Sequence, residues 1–476
     1  MPSTIEITPA QLENVNRVLQ ELTSLDSGGV ESKLVKASGP ELEGNNRPVR
    51  VPFQLWHPLG GAKFSPDGGA LPRGLATAAD AYFGGHIPFA HTFELTLAQK
   101  DMNALSTIDT TKEVFGRTTE MIAVKNDIMF HGDGSGILAG AAGGSTTSNV
   151  VINGVTKTTY TFPANDPIGL VNLVEGLPVE VVASNLTTRR APASGSEITF
   201  VEKVDYFTNT VILNQEVATP AAGDVLVWPG LFAPNPGAGF VAGYSGASPL
   251  TSFNQGWPTT QTAAGTGMTG DPFRHGYQYA INTDPTSWFY GKRRSEFPQL
   301  QCNRLNVNGP FQFTQAVQVM NQMQYRRPAI ADTTNFVGLI SPAQYLAAFQ
   351  AGQSVVTNMR EIGDVYGKTI DAAPNDSKYR DSVSINGITT YKDRRAPKNQ
   401  LVFLVPEGIG KVVGKKIEIF NPSGSGNGYM ALPTTNGTYS TNILMVMVDS
   451  WDYLYFDPGR FCVLNGLTVP NEFSVA

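Results

Sequence analysis

Phe130-His131-Gly132-Asp133-Gly134-Ser135-Gly136-Ile137-Leu138 decides how this chain is read. Its three glycines stand at alternate positions, a spacing shared by loops that cradle phosphates and loops that hold metal ions. The flanks choose between those readings. From about Asp109, the residues Val114, Phe115, Met121, Ile122, Ile128 and Met129 fall on one broad face of a helix. Glu113, Arg117, Glu120 and Lys125 fall largely on the other. His131-Gly132 ends the run, and a glycine that accepts left-handed backbone is an ordinary C-terminal stop. The glycines therefore close a helix instead of opening one.

That order removes the chemical readings. A dinucleotide loop needs a strand before it and a helix after it. Gly134-x-Gly136-x-x-Ala139 has a helix before it and irregular chain after it. Gly265-Thr266-Gly267-Met268-Thr269-Gly270 lies in Thr/Ala/Gly-rich sequence with no strand ahead of it. Neither run ends in the Gly-Lys-Ser/Thr of a phosphate loop. A calcium loop needs several carboxylates at alternate positions; Asp133 stands alone and reads as a turn-stabilising residue. Gly243-Tyr244-Ser245-Gly246-Ala247 approaches a hydrolase nucleophile elbow, but Ala247 replaces the last glycine and the flanks are loop-like, so Ser245 gains no triad. Of the five histidines, His57, His86, His91, His131 and His275, only His86 and His91 are close, with Glu94 beyond them. They do not match the helical spacing of zinc enzymes. The expectation is no catalytic residue, no cofactor, no metal and no enzymatic activity.

Composition points the same way. The 476 residues suffice for roughly three domains. Charged residues make up 16%, low against about 25% for an ordinary soluble domain. With 49 glycines and 32 prolines the chain is rich in turns. Its formal net charge is −6, and no basic arm of the kind that condenses nucleic acid is present. The arginine pairs 189–190, 293–294, 326–327 and 394–395 are scattered and read as ion-pair or interface residues. Cys302 and Cys462 sit in apolar, strand-like surroundings and form neither a disulfide framework nor a zinc pattern, which fits a reducing compartment. Neither a signal peptide nor an apolar run long enough to cross a bilayer is read in the sequence.

Along the chain, Thr8-Pro9-Ala10-Gln11 opens a helix that Leu12, Val15, Val18, Leu19, Leu22 and Leu25 continue, a docking helix or arm. Residues 38–95 hold many glycines and prolines with little periodicity and make sense as a region covered by neighbouring subunits. Short strand-like runs follow at Val179–Val182, Glu197–Lys203, Thr210–Leu213 and Val225–Trp228, suggesting a small inserted β-barrel or sandwich. Residues 234–270 read as a polar loop or arm. Helical spacing returns over Phe313–Arg327, and Ser341 caps a short helix over Pro342–Phe349. Strands are expected at Thr389–Tyr391, Leu401–Val405, Lys411–Phe420, Ile443–Asp449 and Tyr453–Phe456.

The helix Lys112–Phe130 running into Gly132-Asp133-Gly134-Ser135-Gly136 resembles the spine helix and following turn of tailed-phage major capsid proteins. Later segments keep that family's order. Arg293-Arg294-Ser295-Glu296-Phe297-Pro298-Gln299-Leu300 looks like the run before its axial-domain helix. Phe313–Tyr325 and Phe336-Val337-Gly338-Leu339-Ile340-Ser341-Pro342-Ala343-Gln344-Tyr345 are similar to the helix, strand and second helix of that domain. Gly387–Asp393 and Asn399–Leu404 look like its later strands. The resemblance covers about 95 to 470.

It implies an α+β chain with the tailed-phage major capsid fold (the Hong Kong 97-like fold): N-terminal arm, extended loop, peripheral domain with a long spine helix, axial domain, and a small inserted β-barrel-like domain. The corresponding divisions are 1–44 for the N-terminal helix and arm, 45–95 for the extended loop, and 96–165 for the peripheral domain with its spine helix. The β-rich insertion takes 166–230, a connecting arm returning to the peripheral domain 231–310, the axial domain 311–435, and the C-terminal strands returning to the peripheral domain 436–476. The insertion is not part of the family's minimal fold. The implied function is a major capsid protein assembling as pentamers and hexamers into an icosahedral head around double-stranded DNA. Its implied partners are itself, portal, scaffolding or decoration proteins, and packaged DNA without sequence-specific contact; no membrane is involved. The implied location is the virion, after assembly in the host cytoplasm. An encapsulin-like compartment shell is the alternative, and a β-rich hydrolase or carbohydrate-binding protein a third reading. Some members of the family cross-link subunits; Lys63 in its glycine-rich loop is a candidate donor, but no pattern identifies its partner.

Overall fold

The computed structural model describes residues 41–43, 49–54, 79–84, 87–96, 110–134, 136–140, 145–163, 170–183, 189–190, 199–206, 208–229, 274–283, 288–290, 292–326, 335–356, 382–419, 430–433 and 439–470. The architecture is mixed α+β and strand-rich. Helix α1 spans Thr110–Phe130, as its apolar spacing predicts. Its last bonds tighten to the i→i−3 type: His131 N–H donates to Ile128 O (3.2 Å) and Gly132 N–H to Met129 O (3.0 Å).

The stop differs from the expected one. The left-handed residues are Gly134 (φ 85°) and Gly136 (φ 74°), not Gly132. A Cβ on Gly132 would meet Met129 O at 3.2 Å and nothing of segment 274–283; the space is needed at Gly276. A Cβ placed on Gly276 would lie 2.3 Å from Gly132 O and 2.5 Å from Gly132 N and from Met129 O. Gly276 thus lets two backbones touch. This contact seats the segment 274–283, which contains the short helix α2 (Tyr277–Ala280), against the end of α1.

Three hydrophobic clusters lie around that contact. The first side of the body is a sheet in the order 303–309, 462–467, 400–404, 337–340, 388–392, 382–385, six strands among the described residues. Successive strand residues point to opposite faces, and the sheet uses both. Val402 and Leu404 enter the central cluster with Phe130, Tyr277 and Tyr453. Leu401 and Phe403 enter a second cluster beneath helix α3 (Phe313–Arg326), beside Ala316, Val319 and Met323. Helix α4 runs over Pro342–Val356, beyond the expected end at Phe349. Ser341 caps it as expected, its Oγ accepting the Gln344 N–H at 3.3 Å.

A second sheet closes the central cluster. Strand 409–419 pairs in parallel with 41–43 and antiparallel with 439–455; the latter also pairs with 430–433 and with 87–96, where the register runs without a break from Asn442–Thr96 to Trp451–Ile87. Tyr439–Tyr455 is one strand, not the expected two. Ser450-Trp451-Asp452 stands between the two expected strands. In the fold Asp449, Ser450, Trp451 and Asp452 are all buried, and the strand continues through them. The region 38–95 is also more regular than its composition suggests. Strands 49–54 and 79–84 form a two-stranded ribbon anchored by buried Val51, with Val49 and Phe53 packed on the central cluster. Residues 55–78 between them, with His57 and Lys63, lie outside the described residues, as do the expected helix at 8–25 and the arm at 234–270.

The strands expected over 166–230 lie in an antiparallel sheet in the order 137–139, 225–227, 178–182, 199–205, 210–213, 155–161, 146–152, with 189–190 beside 178–182. It begins earlier than its strand-like runs suggest, directly after the glycine turn. Gly223 N–H donates to Ser145 O (2.9 Å), and Ser145 Oγ–H to Asp224 O (2.9 Å), which brings the two ends of this path together around an aliphatic core. Hairpin 146–152/155–161 turns on Asn153-Gly154 with φ 54° and 80°, the two left-handed residues that match the twist of the flanking strands.

Gly276→Ala is expected to destabilise the protein by about 3 kcal/mol, because only backbone atoms can move aside. Gly387→Ala, left-handed (φ 77°) but facing open space, should cost about 1 kcal/mol. Denaturant unfolding of both variants measures the contrast, and equal losses would remove the close approach as a constraint.

Candidate functional site

The polar chemistry of the described residues is concentrated at the end of α1. Asp127 and His131 stand one turn apart there and face loop 393–395. His131 Nδ1–H donates to Asp127 O (2.8 Å), and Nε2 lies 2.6 Å from Asp393 Oδ2. Arg395 Nε donates to Asp127 Oδ2 (2.6 Å) and Nη1 to Val171 O (2.8 Å), so this one side chain ties helix, insertion and loop together. Asp393 accepts the Arg395 N–H at 2.9 Å, which sets the loop.

Both ring nitrogens of His131 meet acceptors, so the doubly protonated ring satisfies both. Burial by itself pushes its pKa down. The charge of Asp393 and its hydrogen bond outweigh that, and the pKa stands above its usual value. Burial likewise pushes Asp393 up, and the His131 charge and hydrogen bond hold it below the usual range instead. Tyr277 packs on the His131 ring, centroids 5.1 Å apart. Burial raises its own pKa, which keeps it neutral.

A second ionic group lies where Arg274-His275 meets strand 439–455. Arg274 is fully buried, hydrogen-bonds Asp449 and stands 3.8 Å from the centre of the Trp451 ring. Trp451 Nε1–H donates to Asp449 Oδ2 (2.8 Å). Asp452 accepts the His275 N–H (2.8 Å) and faces its Nδ1 (2.5 Å). Asp449 would be raised by burial, yet Arg274 holds it far below the usual range. His91, buried and 3.8 Å from Asp449, is too far for a hydrogen bond, and burial holds its pKa down. His131 and His275 are cross-links between distant segments, a role their scattered positions in sequence do not announce.

The arginine pairs resolve into individual ties. Arg190 joins Asp224 (3.0 Å), and the fully buried Arg294 donates to the carbonyls of Tyr279, Ala280 and Leu300. Cys302 and Cys462 are buried thiols; burial pushes Cys302 up to about 12 and Cys462 higher still. Gly134 and Gly136 are followed by strand 137–139, not by a helix. His86, Ser245 and the glycines at 265–270 lie outside the described residues. Glu94 sits in strand 87–96 opposite Leu444. Among the described residues there is no group of three or more His, Cys, Asp or Glu able to hold a metal ion, and no helix long and apolar enough to cross a membrane.

What the described structure does present is uncovered surface. Val150, Val151 and Val155 stand exposed at the hairpin tip of the insertion, and Val317 and Tyr325 on α3. Strand 146–152 pairs on one side only among the described residues, and the ribbon 49–54/79–84 joins no larger sheet there.

No protein-family model and no curated protein matches the chain. Solved structures of similar backbone are shells. The capsid asymmetric unit of Cyanophage A-1(L) is 9% identical with a TM-score of 0.43, over 92% of this chain and 92% of that one. The capsid of the native GTA particle is 8% identical with a TM-score of 0.40, over 93% and 91%. The virus-like particle from Pyrococcus furiosus is 7% identical with a TM-score of 0.32, over 95% and 99%.

The His131–Asp393 pair makes a pH prediction. A raised histidine pKa stabilises fully below about 6.5, its unfolded value, and the gain is lost as pH rises through the folded pKa; a lowered carboxylate pKa stabilises above about 3.8 and is lost as pH falls. The pair is therefore strongest between those values. His131→Gln should destabilise by about 3 kcal/mol near pH 5, and the gap to the native protein should narrow toward about pH 9. Denaturant midpoints across that range test it; a gap that widens with pH would reverse the assignment.

Proposed function

We propose that the chain is a major capsid protein that self-assembles as pentamers and hexamers into an icosahedral head enclosing double-stranded DNA. The observation that carries this reading is an order of parts. A long helix ends in a glycine turn, an insertion follows, a sheet-and-helix body comes next, and strand 439–455 returns to pair with strand 87–96 laid down before the helix, while the last strand, 462–467, joins the sheet of the body. The tailed-phage resemblance implies that order of elements, from spine helix to axial domain to returning strands. The ribbon 49–54/79–84 plays the extended loop that lies over a neighbour, and the insertion decorates the shell or braces adjacent subunits.

The ionisable groups support a structural role over a catalytic one. The buried acids Asp393, Asp449 and Asp452 hold folded segments together, and their ties are spent on packing. A net charge of −6 suits a shell into which DNA is driven from outside, since a shell nucleated by nucleic acid needs basic arms to neutralise phosphates. Portal, scaffolding or decoration proteins are the partners of this reading, and the virion its location.

Electron microscopy of the purified chain, with and without co-expressed phage partners, should show shells, tubes or capsomers, and a strict monomer under every condition would sink the proposal. Particles that carry nuclease-protected DNA support a head; particles filled with an enzyme support an encapsulin-like compartment. Hydrogen exchange adds a local check: the ribbon 49–54/79–84 should gain protection on assembly, and equal exchange in free and assembled chain would take it out of the contact.

A further inference from the structure

An open cleft of about 570 Å³ lies between strand 303–309, the outermost of its sheet, and the last turns of α3, lined by Thr283, Gln301, Arg304, Gln322, Tyr325 and Arg326. Its two guanidiniums differ from the ties described above. Arg274, Arg395, Arg190 and Arg460 each hold a carboxylate. Among the described residues Arg304 donates only to Thr283 Oγ1 (2.9 Å), and its Nε, shielded from solvent, has no acceptor there. Arg326 donates to Asn303 Oδ1 (3.1 Å) and, at 3.5 Å, to Cys302 O. Neither forms an ion pair among the described residues. A shielded N–H without an acceptor costs free energy until one arrives, and a guanidinium fork fits a carboxylate through two parallel bonds.

The end of α3 opposes this only weakly. A helix C-terminus carries about half a negative charge, which falls off within a turn, against two full positive charges. We propose that the cleft is a socket for an acidic side chain of a second copy of this chain, a proposal that rests on the shell-building reading. The chain carries 40 acidic against 34 basic residues, so an identical neighbour offers the complementary charge. Two cations, two glutamine amides and a tyrosine form a site for one side-chain carboxylate. A phosphate backbone would call for a longer basic track. Tyr325, 90% exposed at the rim, offers a flat ring for the neighbour to cover.

The test places an amine in the cleft without removing charge. Full-length Arg304→Lys and Arg326→Lys chains, with melting checked against the native protein, are assembled from an equal mixture of isotopically light and heavy protein. A carbodiimide then joins amines to touching carboxylates. Light–heavy peptides joining position 304 or 326 to one recurring Asp or Glu are expected in particles and not in monomers. In parallel, Arg304→Gln/Arg326→Gln should lower the assembled fraction at low salt by about tenfold, with the deficit shrinking as salt is raised. Cross-links confined to a single copy would assign the cleft an acid of its own chain, and nuclease-sensitive photo-cross-linking of Tyr325 to nucleic acid would assign it phosphate; either overturns the proposal. Particles with no cross-link at either position and no salt-dependent deficit overturn it while leaving the shell reading intact. A strict monomer overturns both.

Discussion

Five consecutive residues at the end of α1 serve different parts of the molecule. Each residue turns the helix by about 100°, so neighbours in sequence face different layers. Ile128 and Met129 enter the core of the insertion, and Phe130 enters the central cluster. Asp127 and His131, one turn apart, meet Arg395 and Asp393. The helix cannot rotate or slide without breaking contacts in all of these places. The touching backbones of Gly132 and Gly276 then fix how far it reaches.

The polar part of this junction is bought with desolvation. A buried ion pair seldom adds much stability over a well-packed apolar substitute, but removing one partner strands the other at about 3–5 kcal/mol. The pairs here therefore act mainly by excluding alternatives. Asp127, Asp393, Asp449 and Asp452 each find a cationic or histidine partner from another segment. A shifted register in strand 439–455 would leave Asp449 and Asp452 buried without Arg274 and His275. That is a strong reason for one arrangement of a chain whose sheets offer many similar aliphatic strands.

The same structure leaves its periphery open. Val150, Val151 and Val155 stand in solvent beside a buried core, and Tyr325 projects beside a cleft whose two arginines form no ion pair among the described residues. On the proposed shell-building reading these edges are where copies meet, and each contact can be weak, because closed symmetry multiplies it.

Much of the secondary structure could be read from local pattern. The α1 periodicity, the Ser341-Pro342 cap and the strands at 210–213 and 401–404 depend on neighbours within a few residues, where spacing and capping act. Two hairpins carried a local signal that composition obscured: Asn153-Gly154 and Asn386-Gly387 both take left-handed backbone between paired strands. Ser450-Trp451-Asp452, between two expected strands, is itself strand, since Arg274 and His275 satisfy the buried Asp449 and Asp452. The histidine roles could not be read at all. His131 meets Asp393 from 262 positions away, and His275 meets Asp452 from 177. By itself the sequence determined the longer helices and a part of the strands, because these follow from short-range sterics and hydrophobic period. The tertiary structure alone decided which charges are paired, that Gly276 makes room for another backbone and which arginines have no acid among the described residues, because each depends on residues that only folding brings within a few ångströms.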